Sequence, residues 1–159
     1  MTDTTFTTCL WFDTEAEAAA HYYTGIFKNS ALGKVTRYTE AGPGEPGTVV
    51  TAEFELNGQR FVGLNGGPHF TFSEAISFQI PCADQAAVDY YWDRLTEGGA
   101  ESDCGWLKDR YGLSWQVVPT ALIDMVTDPD PEKAARATRA MLTMHKIDIA
   151  ALRRAYDGA

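Results

Sequence analysis

The stretch "AAAHYYTGIF" at residues 18–27 is echoed by "AAVDYYWDRL" at residues 86–95. Laid over each other, they match Ala18, Ala19, Tyr22 and Tyr23 to Ala86, Ala87, Tyr90 and Tyr91, a displacement of 68 positions at which the strand-like stretches before them also align. Both read as amphipathic helices. The first opens with Thr14 as cap and Glu17 as its capping-box reply, then runs Ala19, Tyr23 and Ile26 along one face. The second begins at Asp84, spaces Ala87, Tyr91 and Leu95 four residues apart and stops at Gly98-Gly99. The order of elements repeats as well, as strand, helix, then two or three strands. This predicts a duplicated βαβββ unit.

Outward from these helices, segments 5–12, 31–40, 48–56, 59–65, 75–82, 104–110 and 113–119 are β-branched or aromatic and bounded by Gly, Pro, Asn or Asp, as strands are. Side chains alternate across a strand, so each has two faces. The first strand puts Phe6, Leu10 and Phe12 on one side and Thr7, Cys9 and Trp11 on the other. The fifth opposes Ile76, Phe78 and Ile80 to Ser77 and Gln79, and the last opposes Trp115 and Val117 to Ser114, Gln116 and Val118. The apolar sides suit the helices. The remaining sides read either as the lining of a cup with a few hydrogen-bonding groups or as a solvated open sheet face.

After Pro119 the pattern turns helical. "ALIDMV" is followed by Asp130 and Pro131 as cap and first-turn proline, with Ala134, Ala137, Met141 and Met144 as a stripe. A last short helix starts at Asp148, where Ile147 and Leu152 form a hydrophobic staple. The glycines of "AGPGEPG" make no phosphate cradle, because Pro43 and Pro46 remove two N–H donors and no Lys-Ser/Thr or helix start follows. A hairpin loop is expected there.

The formal net charge is −9 over 159 residues, and no Lys/Arg run appears. Nucleic acid and anionic membranes are therefore excluded as expected partners. No apolar run approaches the ~20 residues that cross a bilayer, and the start lacks a basic region and a cleavage site, so a cytoplasmic location is expected. Cys9, Cys82 and Cys104 form an odd set without CxxC or Cys/His spacing, which predicts inert buried thiols rather than disulfides or zinc.

The runs "GGPHFTFSEAISF" and "WLKDRYGLSWQVVP", together with "LWFDTEAEAAAHYY" and the tail "AMLTMHKIDIAALRRAY", resemble the PhnB-like branch of the vicinal-oxygen-chelate superfamily. That superfamily includes glyoxalases, extradiol dioxygenases and bleomycin- or fosfomycin-resistance proteins. The resemblance implies an α+β glyoxalase-like fold, with paired βαβββ modules forming a cupped mixed β-sheet. It places a single PhnB-like domain over 1–159, a first module at 5–66, a second at 74–119 and a C-terminal helical extension at 120–159. It also implies a homodimer. Such proteins often carry the label 3-demethylubiquinone-9 3-methyltransferase, yet the chain has no Gly-rich strand-to-helix fingerprint for a nucleotide-like cofactor, and no cofactor is expected.

Metal-using relatives place His on the first strand of each module and Glu on the last, around a divalent ion. The matching first-strand stretches, Thr7 to Cys9 and Ala75 to Ser77, hold no His. Gln116 takes the glutamate position and Val62 its partner position, so the usual ligand set is absent and no metal is expected. A neutral amide suits hydrogen bonding to an organic ligand, while satisfaction within the sheet is the competing reading of Gln116. The reading reached is a metal-independent small-molecule binding protein, its ligand held by Cys9, Trp11, Ser77, Gln79, Trp106 and Gln116. The alternative is a glyoxalase-like lyase or isomerase acting on a small polar metabolite, using Glu53, His69 or Glu74 as acid or base. His21 and His145, both in helical patterns, are given structural roles.

Overall fold

The computed structural model describes residues 6–159, so the expected strand start at Thr5 lies outside the described residues. The chain divides into two compact units, one ending at Thr71 and the other beginning at Phe72.

The first unit runs β1 (Thr8–Phe12), α1 (Ala16–Ile26), β2 (Ser30–Arg37), β3 (Val49–Leu56) and β4 (Gln59–Asn65). Its sheet has the order β1-β4-β3-β2, with β1 and β4 parallel and the other pairs antiparallel. Alternation works as expected on the helix side. Leu10, Phe12, Ala52, Phe54 and Phe61 are buried beneath Ala19, Ala20, Tyr23 and Ile26 of α1. Tyr23 stacks on Phe54 at 5.8 Å and Phe54 on Phe61 at 5.2 Å between ring centroids. Stacked rings of this kind add stability beyond their buried area.

The expected capping box is not formed. Glu15 occupies the N-cap position without a side-chain cap, and the Ala16 N–H instead donates to Asn65 Oδ1 at 2.8 Å. The parallel pairing sets Asn65 beside Phe12, where the chain leaves β1 for the helix. A side chain distant in sequence therefore reaches the helix start and displaces the local cap. Phe6, expected on the inner side of the first strand, is 96% exposed and precedes it.

The second unit repeats the plan with β5 (Ser77–Cys82), α2 (Gln85–Thr96), β6 (Ala100–Glu101), β7 (Trp106–Lys108) and β8 (Ser114–Pro119), in sheet order β5-β8-β7-β6. Here Asp84 does cap, accepting from the Ala87 N–H at 2.9 Å. The buried face of α2 is Val88, Trp92 and Leu95, one step round from the expected Ala87 and Tyr91, which are half-buried. The larger Val88 and Trp92 fill the core, and the Trp92 indole is held by Glu101 Oε1 at 3.0 Å. The strand expected over 104–110 is cut to three residues because Cys104 turns with φ +57, and the two-residue β6 carries no pattern long enough to read. Ile76, expected inside, lies before β5 and is 70% exposed.

After β8 come α3 (Thr120–Val126), α4 (Pro131–Met141) and α5 (Ile149–Asp157). Asp130 caps α4 ahead of Pro131, and Asp148 caps α5. Ile147 and Leu152 bury together with Leu122, Met125 and Ala137, as a staple requires. Gln85 ties this extension to α2, accepting from the Ile149 N–H at 2.9 Å and donating to Ile147 O at 3.0 Å. His145 lies between α4 and α5 rather than in a helix, its Nδ1 3.1 Å from Ser102 O. The expectation of buried thiols holds for Cys82; Cys104 is half-buried and Cys9 is exposed. Among the described residues, no helix is long and apolar enough to cross a membrane.

Candidate functional site

The segment "DRYGLSWQ" builds the centre of the second unit's sheet. Asp109 is buried, and its carboxylate accepts from the N–H groups of Tyr111 at 2.9 Å and Leu113 at 3.1 Å and from the Trp115 indole at 2.9 Å. Gly112 supplies the turn's positive φ of +84, which disfavours a side chain. The turn thus fixes where β8 starts, and with it which residues face each way. Trp115 and Val117 go to the helix side and are buried. Gln116 goes to the other, open face.

On that face Gln116 Nε2 donates to Ser77 Oγ at 2.8 Å, and its Oε1 accepts from Gln79 Nε2 at 3.2 Å. The parallel register of Ser77 against Ser114 and Gln79 against Gln116 brings the three together. Trp106 pairs directly with Gln116 across β7 and β8, so its ring stands on the same face. Four of the six expected ligand residues thus form one cluster. Within the sheet the Gln116 amide bonds side chains rather than backbone.

Beside the cluster lies a cavity of about 220 Å³, lined by Glu74, Ser102, Trp106, Lys108 and Ser114 together with Ala100, Glu101 and Leu107. Glu74 forms an ion pair with Lys108. Hydrogen bonding from Lys108 is the largest of the effects that lower the Glu74 pKa below the ordinary carboxylate value. Ser114 is 1% exposed, and among the described residues its hydroxyl is the buried side-chain polar atom without a hydrogen-bond partner. Sequence reasoning passed over Lys108 and the special position of Ser114. The alternation Trp106-Leu107-Lys108 around a buried Leu107 was the signal available for the former.

Cys9 and Trp11 stand on the open face of the first unit's sheet. Cys9 is in register with Val62 and Val62 with Glu53, so an exposed carboxylate and an exposed thiol share one row of that face. The Trp11 indole donates to Gly67 O at 2.8 Å and meets the Phe70 ring edge-on at 4.9 Å. Gly66 is required beneath it, since a Cβ there would lie 2.2 Å from the indole. Trp11 is therefore anchored in its own unit. His69 is exposed in the same segment. A wider hollow of about 790 Å³ between α1 and the β2–β3 hairpin is lined in part by Arg37, whose Nη2 lies 3.1 Å from both Glu17 oxygens.

The metal chemistry of the resembling superfamily does not fit these residues. Ser77 and Gln116, which lie where the resemblance implies a metal-using relative's His and Glu, are neutral and bonded to each other. Among the described residues no group of three or more His, Cys, Asp or Glu side chains is arranged to hold a metal ion. Without anionic or imidazole donors, a divalent cation keeps its water in preference to a hydroxyl and an amide.

The family model described as 3-demethylubiquinone-9 3-methyltransferase matches residues 4–118. The PhnB protein of Bacillus cereus is 36% identical, with 74% of this chain and 100% of that one covered and a TM-score of 0.67. A solved protein of Pseudomonas aeruginosa shares the fold at 15% identity, covering 74% of this chain and 98% of its own, with a TM-score of 0.61. The fosfomycin resistance protein FosX of Mesorhizobium loti shares it at 12% identity, over 72% of this chain and 90% of its own, with a TM-score of 0.52. No curated protein matches the chain.

Proposed function

Because the chain belongs to the family described as 3-demethylubiquinone-9 3-methyltransferase, the PhnB-like branch of the vicinal-oxygen-chelate superfamily, we propose that it binds a small organic molecule without the help of a divalent metal. The observation that carries this is the Ser77–Gln116–Gln79 chain of hydrogen bonds on an open sheet face, beside the Trp106 ring and a cavity. Neutral donors and acceptors next to a flat aromatic wall are the equipment of an organic ligand site. Cys9 and Trp11 belong to the reading as the equivalent face of the first unit. Methyl transfer is not part of it. The family's methyltransferase wording calls for a nucleotide-like cofactor, and a strand-rich βαβββ unit has no Gly-rich turn between strand and helix to receive one.

The working form proposed is a homodimer. Phe6 at 96% and Phe70 at 65% exposure in the first unit are large apolar side chains that a second copy would cover. Native mass spectrometry tests mass and metal together: a dimer free of stoichiometric zinc, nickel or manganese is expected. A purified protein carrying one such ion per chain on Ser77 and Gln116 overturns the proposal.

A second reading, a lyase or isomerase acting on a polar metabolite, is favoured by one observation: the Glu53 carboxylate stands on an open face, in one row with Val62 and Cys9. His69 and Glu74 are its other candidate groups, Glu74 standing in an exposed ion pair with Lys108. Turnover found in a metabolite screen that survived Glu53→Gln combined with His69→Ala would remove both residues from it.

A further inference from the structure

We propose that the cavity of the second unit takes a small aromatic carboxylate, and that Glu74 occupies the carboxylate's place when no ligand is bound. The inference rests on the reading above that this open face binds a small molecule, and it names the class. Three independent features of the cavity point to it.

The first is the cation. Lys108 stands on the open face of β7, because its neighbour Leu107 is buried on the helix side and Lys108 pairs across the sheet with Ser114. Its ammonium meets the Glu74 carboxylate, which comes from the irregular segment before β5. The chain itself thus shows that a carboxylate fits opposite Lys108. The two side chains are 39% and 63% exposed, and an ion pair so open to water is weak and exchangeable. The other carboxylate of the lining, Glu101, accepts from the Trp92 indole at 3.0 Å and does not compete for Lys108.

The second is the orphan hydroxyl. Ser114 faces the same side as Lys108, since Trp115 beyond it is buried against the helix. Its Oγ is buried and bonds nothing among the described residues, although a buried hydroxyl ordinarily finds a partner. The Glu74 carboxylate at Lys108 does not bond it, so a ligand carboxylate that enters past the position of Glu74 brings a second oxygen to accept from Ser114.

The third is the wall. Trp106 lies two residues along β7 from Lys108, which on an extended strand is roughly 6–7 Å. That spacing matches the distance from a cation, through the carboxylate paired with it, to the centre of the ring that bears that carboxylate, and an indole is a natural stacking surface for such a ring. The volume of about 220 Å³ is below the range of roughly 300–1,000 Å³ usual for drug-sized ligands. A single ring with one acid group is the size class it admits.

Benzoate and its neutral isostere benzamide are the probes, titrated into the full chain by calorimetry and followed on the Trp106 indole and Gln116 amide signals in nitrogen-correlated spectra. Removing the tethered competitor with Glu74→Gln is expected to tighten benzoate binding by about tenfold while benzamide changes by less than about twofold. Adding Ser114→Ala to Glu74→Gln is expected to weaken benzoate binding with no loss of melting temperature, a split that a merely structural serine does not produce. Adding Lys108→Gln instead abolishes the preference for benzoate over benzamide.

If both probes move the Trp106 and Gln116 signals but Glu74→Gln leaves benzoate no tighter, the carboxylate assignment falls and the open-face reading stands. If neither probe moves any signal of Ser77, Gln79, Trp106 or Gln116, both fall.

Discussion

Gln116 Nε2 donates to Ser77 Oγ at 2.8 Å, joining the last strand of the second βαβββ unit to its first. Both partners are neutral. Restoring the ionic donors with Ser77→His and Gln116→Glu together is expected to create measurable nickel or zinc uptake after dialysis, read by elemental analysis, while the native chain takes up none. Equal uptake by both proteins would show that the ion sits elsewhere.

Asp109 organises the turn that sets the register of β8. Asp109→Ala leaves two backbone N–H groups and the Trp115 indole without their acceptor in a buried place. A loss of about 3 kcal/mol or more in urea unfolding is expected. Asp109→Asn should lose less, because one amide oxygen remains to accept.

Ser114→Ala removes a buried hydroxyl that bonds nothing among the described residues. The ligand-free protein is expected to gain up to about 1 kcal/mol in the same unfolding assay. A loss instead would mean that the hydroxyl has a partner such as ordered water.

The Tyr156 hydroxyl donates to Asp128 Oδ2 at 2.6 Å, linking α5 to the segment before α4. This bond is the largest cause both of the lowered Asp128 pKa and of the raised Tyr156 pKa. For Asp128 the stabilisation is complete above the ordinary carboxylate value and is lost as pH falls through the depressed one. For Tyr156, which must be protonated to donate, it is complete below the ordinary tyrosine value of 10.0 and is lost as pH rises through the raised one. The stability difference between the native chain and Tyr156→Phe is therefore expected to form a plateau between these limits and to vanish beyond each, as measured by urea unfolding across pH.

Burial is the largest cause of the Cys82 thiol being pushed up to about 11, whereas Cys9 is exposed on the sheet face. Iodoacetamide at about pH 8 is expected to alkylate Cys9 first and to reach Cys82 only on unfolding, as peptide mapping would show. Early labelling of Cys82 would contradict its placement in the core.

Much of the plan was legible in the chain. The repeated helix and the alternation of Leu10 and Phe12, or of Trp115 and Val117, specify a βαβββ unit because side-chain periodicity and burial follow from backbone geometry alone. Asp84 and Asp148 read correctly as helix starts and Asp130 as a cap, and all three cap because a cap is a contact between near neighbours. Where a local signal met a distant competitor it lost: Asn65 displaced Thr14 and Glu17 at the start of α1, and the bulk of Val88 and Trp92 turned α2 one step from its apparent stripe.

The site divides along the same line. The sequence by itself determined that Gln116 and Ser77 are neutral, that Ser77 shares a strand face with Gln79 and that Gln116 shares one with Ser114, since identity and alternation need no third dimension. Only the tertiary structure decided that the Ser77 hydroxyl meets the Gln116 amide, that Glu74 lies on Lys108, and that Ser114 is buried without a partner. Those facts depend on how strands far apart in the chain are paired and on what covers them. Pairing is fixed by the sum of many weak contacts across the sheet, and no short stretch of residues encodes it.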